Sequence, residues 1–345
     1  MKESKIFVFG YFGYLNNQID GQTIKTRNVY KLFKSNFQSV RYFDSQIFKQ
    51  NKLKFFLLLK SILWSDKTIY LPAQNNLKYL FPLIFFLTKI FRIKLYYFVI
   101  GGWLCEFIDK HPLHSTLLKR IKSIYVETEK LKHILVNRGF SNVFVVPNFK
   151  EAPSLDQISK ESKKSLVFVS RINKLKGYDV VFKLAREIKN QFNEDVLIDF
   201  YGPIFEGDRS DFLNKISKYD NTNYLGELNP QDIIQVISNY YLLLFPTKYY
   251  TEGLPGVIVD SFFGGLPVVA SGWQYANEFI EDGVTGYISE WNNDQDFINK
   301  VVYLIKNEEA RDEFQTNIRQ KENKYTYDYA WKRIIKSGFI EDNSE

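Results

Sequence analysis

Residues 165–191 read SLVFVSRINKLKGYDVVFKLAREIKNQ. The run 166–169 is apolar without a polar break, as expected of a strand buried on both faces of a parallel sheet. From Tyr178 the apolar residues recur every three or four positions, so the spacing predicts an amphipathic helix over 178–191. Strand, short loop and helix are one βα unit, and the same rhythm extends in both directions. Downstream, strands are predicted at 197–201, 223–225, 242–245 and 268–270, with helices near 231–238 and 256–263. Upstream, strands at 6–9, 40–43, 68–71, 95–100, 123–126 and 143–146 alternate with helical patterns at 21–34, 77–91 and 129–138. Parallel strands need crossovers of this length, so the fold class is α/β, with two doubly wound units. Between them, residues 150–164 carry Pro153, three serines and mixed charges and have little to bury, which marks a linker. The domains are expected at 1–155 and 156–325. Doubly wound sheets bind ligands at the carboxyl ends of their strands, so two facing units would form a cleft.

Composition agrees with a folded protein of about two domains. Of 345 residues, 45% are apolar and 25% charged. Cys105 is the single cysteine, which excludes an internal disulfide framework and a multi-cysteine zinc site and suits a reducing compartment. The net charge of +7 hides an asymmetry. Residues 1–150 hold 24 Lys and Arg against 8 Asp and Glu, net +16, whereas the remainder is net −9. A uniform nucleic-acid coat would not look like this, and no nucleic-acid partner is expected. The N-terminus lacks the long apolar core of a secretory signal. Residues 77–100 approach membrane-spanning length, but Lys78, Pro82, Lys89, Arg92 and Lys94 interrupt them.

Two stretches could carry chemistry. In SRINKLKG (170–177), Arg171 leaves the end of a buried strand and Lys176 precedes a glycine where a helix begins. A guanidinium fork, an ammonium and helix-end amides together suit a diphosphate, although basic loop pairs are also common on ordinary surfaces. In TEGLPGVIVD (251–260), two glycines and a proline open a helix after strand 242–245, leaving bare backbone N–H groups. Glu252 and Asp260 could accept hydrogen bonds from sugar or ribose hydroxyls; the plain alternative is that Glu252 caps the helix and Asp260 is a helix-face charge. Asp260 falls in a strongly apolar helix, where an unpaired carboxylate is costly.

The combination resembles the retaining nucleotide-sugar glycosyltransferases of family four, which have the GT-B fold. The matching order is the Arg-to-Lys-Gly stretch, a strand ending at Gly202, Leu225-Gly226, Glu-Gly-Leu-Pro at 252–255 with an acid eight positions after Glu252, GLPVVAS at 265–271 and DGVTG at 282–286. DGQT at 20–23, NRGF at 137–140 and VPN at 146–148 match more loosely. Two departures stand out: Asp260 replaces the usual Glu, and Gly101-Gly102-Trp103 replaces a common His.

The resemblance implies two Rossmann-like domains facing across a cleft, with the final helix (326–345) crossing back to the first domain. It implies that Arg171 and Lys176 neutralise the departing diphosphate, and that Glu252 holds donor-sugar hydroxyls. The segment Gly253, Leu254, Pro255, Gly256 and Val257 would line the sugar and phosphate with its backbone amides, Pro255 having no N–H to offer, Asp260 would hold the ribose, and Gly21, Gln22, Gly202 and Leu225 would complete the donor site. Gly101, Gly102 and Trp103 fall on the acceptor side. It implies a metal-independent hexosyl transfer with retained anomeric configuration, no cofactor, and a nucleotide sugar as substrate. The acceptor would be a lipid-linked glycan in capsule, exopolysaccharide or lipopolysaccharide synthesis. A catalytically inactive sugar- or nucleotide-binding protein is the alternative, for which Asp260 is the only hint.

Other features have plain readings. Asp294-Gln295-Asp296 resembles a metal motif but opens a helix, where acids are ordinary capping residues. His111, His114 and His133 lack metal spacing and read as surface residues. Residues 49–64, KQNKLKFFLLLKSILW, join four lysines to a helical apolar face, and 77–91 adds a second apolar helix. Such helices can lie at an anionic membrane surface, the plain alternative being that their Phe and Leu cover the sheet while the lysines face water; on the membrane reading the chain is expected in the cytoplasm, peripheral on the inner face of the cell membrane.

Overall fold

Strands buried on both faces need side chains above and below, and the crossover helices supply them. The computed structural model describes residues 4–153, 164–192 and 196–340. The chain divides into two compact units, residues 1–150 with 325–345, and residues 151–324. Most of the expected linker, 154–163, lies outside the described residues.

In the first unit the strands are β1 (Ile6–Gly10), β2 (Val40–Asp44), β3 (Lys67–Leu71), β4 (Lys94–Phe98), β5 (Ser123–Val126) and β6 (Val143–Val145). They form one parallel sheet in the order β2-β1-β3-β4-β5-β6. Side chains alternate between its faces. Ile6, Val8, Ile69, Leu71, Tyr96 and Phe98 face Val29, Leu32 and Phe33 of helix Gly21–Asn36. The C-terminal segment completes this layer: Ala330, Ile334 and Phe339 are buried in it, Lys67 Nζ donates to Phe339 O at 2.7 Å, and Arg333 Nε donates to Val145 O at 2.9 Å. On the other face Tyr70 stacks with Phe9 and with Phe81 of helix Gln74–Ile90.

Two helices of this unit leave apolar side chains in solvent. Phe56 in helix Phe55–Trp64 is 68% exposed and Ile90 is 72% exposed, with Leu57, Leu63, Tyr79 and Phe86 also exposed. Among the described residues no helix is long and apolar enough to cross a membrane.

The second unit contains β7 (Leu166–Val169), β8 (Ile198–Tyr201), β9 (Thr222–Tyr224), β10 (Leu242–Phe245), β11 (Val268–Ser271) and β12 (Gly286–Ser289). Its sheet is also parallel, in the order β12-β11-β10-β7-β8-β9. Helix Tyr178–Gln191 lays Val181, Leu184, Ala185 and Ile188 into its core, as the spacing predicts. The order reverses between β7 and β10 here, and between β1 and β3 in the first unit. At such a switch point neighbouring loops leave in opposite directions and open a crevice at the carboxyl ends of the strands.

Candidate active site

The switch point of the second sheet brings both motif stretches together. The loop after β7 turns through a short 3-10 helix, Lys174–Lys176, into helix Tyr178–Gln191. Asn173 Oδ1 accepts from Lys176 N–H at 2.8 Å and caps that turn. The loop after β10 runs to Pro255, the N-cap of helix Gly256–Phe263. Lys248 N–H donates to Leu175 O at 2.8 Å, tying the loops backbone to backbone. Gly177, at φ +81°, makes the approach possible: a Cβ there would lie 1.8 Å from Pro246 O. Gly202 performs the same service for β8, where a Cβ would fall 2.0 Å from Ser170 O. Gly177→Ala is therefore expected to destabilise the second unit by at least about 2 kcal/mol, from left-handed strain and displaced backbone, read as a lower urea midpoint.

Across these loops Lys176 Nζ donates to Glu252 Oε2 at 2.5 Å, both side chains being half-buried. Lys176 also lies over the Tyr249 ring, 5.9 Å from its centroid. Glu252 therefore does not cap the helix; it holds the ammonium. Arg171 is exposed beside this pair in sequence, between the buried Phe168 and Ile172. Asp260 is 1% exposed, one turn inside helix Gly256–Phe263. Leu225 is exposed after the edge strand β9, two strands removed from β7, and no hydrogen bond or ion pair among the described residues joins it to the Lys176–Glu252 pair.

The loop from Thr247 to Val257 is held by residues to which sequence reasoning assigns no role. Trp273 Nε1 donates to Gly253 O at 3.2 Å, and its ring packs edge-on against Phe245. Ser271 Oγ donates to Thr247 O at 2.5 Å. The available signal was position: Ser271 ends β11 and Trp273 follows it, beside β10.

In the first unit, Gly21 and Gln22 follow β1 behind Asp20, which caps helix Gly21–Asn36 in a reciprocal box with Thr23. Gly21 is open to solvent on its Cβ side. Gln22 Nε2 is buried with no hydrogen-bond partner among the described residues, a donor that a ligand would satisfy. Gly101, at φ +74°, Gly102 and Trp103 form the turn after β4. Between helix Gly21–Asn36 and the end of β5 lies a pair the sequence reading missed. Lys25 and Glu127 form an ion pair at 3% and 5% exposure, and Lys25 Nζ donates to Val99 O at 2.8 Å. Lys25 lies on the buried stripe of its helix with Val29 and Leu32, so periodicity could have marked it.

The acidic DQD stretch has the plain role. Asn293 caps helix Asp294–Lys306, Asp294 pairs with Lys183 at 2.6 Å, and Asp296 with Lys300 at 3.1 Å. Burial opposes ionisation of Asp296, but the Glu290 N–H and Lys300 outweigh it and hold the carboxyl below its ordinary range. The histidine reading needs correction: His114 is buried, its Nε2 2.9 Å from Lys78 O and its ring edge-on to Phe107. Among the described residues no group of three or more His, Cys, Asp or Glu could hold a metal ion.

The family profile described as glycosyl transferases group 1 matches residues 126–321, more than half of the chain. The chain belongs to the group 1 glycosyl transferases. It is 24% identical over 208 residues to the poly(ribitol-phosphate) alpha-N-acetylglucosaminyltransferase of Staphylococcus aureus (strain COL), covering 58% of this chain and 40% of that one. It is 24% identical over 169 residues to the capsular polysaccharide biosynthesis glycosyltransferase CapM of Staphylococcus aureus, covering 48% and 43% respectively. The chain spans about half the length of the curated relatives it matches. The crystal structure of HepE from Anabaena in complex with UDP and glucose superposes with a TM-score of 0.76 at 16% identity, over 98% of this chain and 100% of that one. The fold of this group 1 member is accordingly GT-B.

Proposed function

We propose that this chain is a retaining, metal-independent glycosyltransferase that moves a hexosyl group from a nucleotide-diphosphate donor to a lipid-linked glycan of a bacterial surface polymer. The observation that carries the reading is the Lys176–Glu252 pair at the switch point of the second sheet. In the proposed reaction the bond from the sugar C1 to the donor phosphate oxygen breaks. The bond from C1 to the acceptor oxygen forms on the same face, and the departing phosphate oxygen takes the acceptor proton. Lys176 and Arg171 stabilise the charge that develops on the diphosphate, while Glu252 orients sugar hydroxyls and keeps the ammonium in place. Asp260 acts on the ribose, and the amides after Gly253 line the sugar and phosphate. HepE, crystallised with UDP and glucose, and the two staphylococcal relatives support a nucleotide-sugar donor and a polysaccharide acceptor.

The site of action is the cytoplasmic face of the cell membrane. The +16 charge of residues 1–150 and the exposed Phe56, Leu57 and Ile90 support that placement.

The test is nucleoside diphosphate release from a panel of nucleotide sugars with membrane extract as acceptor. One donor is expected to turn over, and EDTA is expected to leave the rate unchanged. Tight binding of a nucleotide sugar with no release under any condition would favour the inactive binding protein instead.

A further inference from the structure

At the amino-terminal ends of β4 and β5 lies a cavity of about 430 Å³. Ten residues line it; Lys89, Arg92, Lys94, Arg120 and Lys122 are cationic and none is acidic. This is the opposite end of the strands from Gly21, Gly101 and the Lys25–Glu127 pair, so the cavity lies away from the carboxyl-end crevice of that sheet. Favourable charge at a helix C-terminus accounts for Lys89. It does not account for Arg120 and Lys122, which arrive from the segment before β5.

Arg92 is informative because of its backbone. It follows helix Gln74–Ile90 at φ +57°, with Ile93 N–H closing back onto Thr88 O at 2.8 Å. Glycine or asparagine is the unstrained choice for such a helix end. The chain accepts left-handed strain and keeps a guanidinium at the cavity. Around it Phe86, Ile90 and Phe91 present apolar side chains to solvent.

We infer that this cavity is an anion site that takes the phosphate of an acidic phospholipid headgroup, with Phe86, Ile90 and Phe91 against the adjoining hydrocarbon. Five convergent cations supply the complement to phosphate, and the neighbouring apolar residues select lipid over a free ion. The inference rests on the membrane placement proposed above and gives it a specific point of attachment.

The experiment is flotation of the full chain with phosphatidylcholine vesicles with and without phosphatidylglycerol, at low and high salt. Wild type is expected to float only with the anionic lipid and to be released by salt. Arg92→Gly is expected to raise the urea midpoint, because strain is relieved, while weakening vesicle affinity roughly fivefold. Arg120→Ser with Lys122→Ser is expected to weaken it roughly 30-fold, with donor hydrolysis in the absence of vesicles unchanged. Wild-type flotation together with undiminished flotation of all these variants would overturn the pocket and leave the membrane placement standing. A wild type that fails to float would overturn both. If inorganic phosphate raises the unfolding midpoint of wild type but not of the double variant, and neither floats, the cavity binds free phosphate and the lipid assignment falls.

Discussion

Glu252→Ala is expected to lower donor turnover by roughly 100- to 1,000-fold, the range seen when one preorganised charge-stabilising group is removed from a transition state. Two losses combine. The carboxylate proposed to orient donor hydroxyls disappears, and Lys176, anchored on Glu252 Oε2 at 2.5 Å, loses that partner. Lys176→Ala should fall by a similar factor for the complementary reason, with Glu252 left half-buried and unpaired. Because the two act as a unit, the double variant should be scarcely worse than either single one. Glu252→Gln separates geometry from charge: it can still hydrogen-bond a hydroxyl but holds the ammonium weakly. Nucleoside diphosphate release at saturating donor is the readout, with urea unfolding as a control for the fold. Wild-type rates in both Glu252→Ala and Lys176→Ala would end the assignment.

Lys25→Met is expected to be the most damaging single change to the first unit. Lys25 and Glu127 are almost fully buried, and breaking a buried pair by removing one member costs about 3–5 kcal/mol. For a unit of this size that corresponds to a fall of roughly 10 °C in the melting temperature of its transition. Lys25→Met combined with Glu127→Leu should recover most of the loss, since two apolar side chains need no counter-charge. If Lys25→Met melts with wild type, the pair is solvated and the burial argument fails. Turnover of the recovered double variant then reports separately whether the pair also serves the acceptor side.

The central strands were legible because a strand buried on both faces is a continuous apolar word. The expected runs 123–126, 166–169 and 242–245 coincide with β5, β7 and β10. What escaped was short or mixed. β12 is an edge strand of four residues, half-buried at Tyr287 and Ile288, and helices Leu104–Lys110 and Pro112–Leu118 are seven residues each, too short for a periodic stripe. The same division holds at the site. Arg171, Lys176 and Glu252 were visible because charged groups at strand ends are chemically conspicuous. Asn173 and Trp273 were not, because they act by holding backbone, and His114 was misjudged because nothing local announces that Phe81 and Phe107 enclose it.

The C-terminal segment has a consequence for synthesis. Residues 325–345 belong to the first unit, and Ile334 and Phe339 fill its core beside residues made some three hundred positions earlier. On the ribosome, residues 151–324 would emerge as a contiguous unit able to close first. The N-terminal sheet would meanwhile wait with one apolar layer uncovered, although it was translated earlier. Order of translation and order of folding would then be reversed in this chain. A nascent chain stalled before residue 325 should leave Phe37 and Tyr96, which pack against Phe339, open to chaperones, and the full-length chain should not.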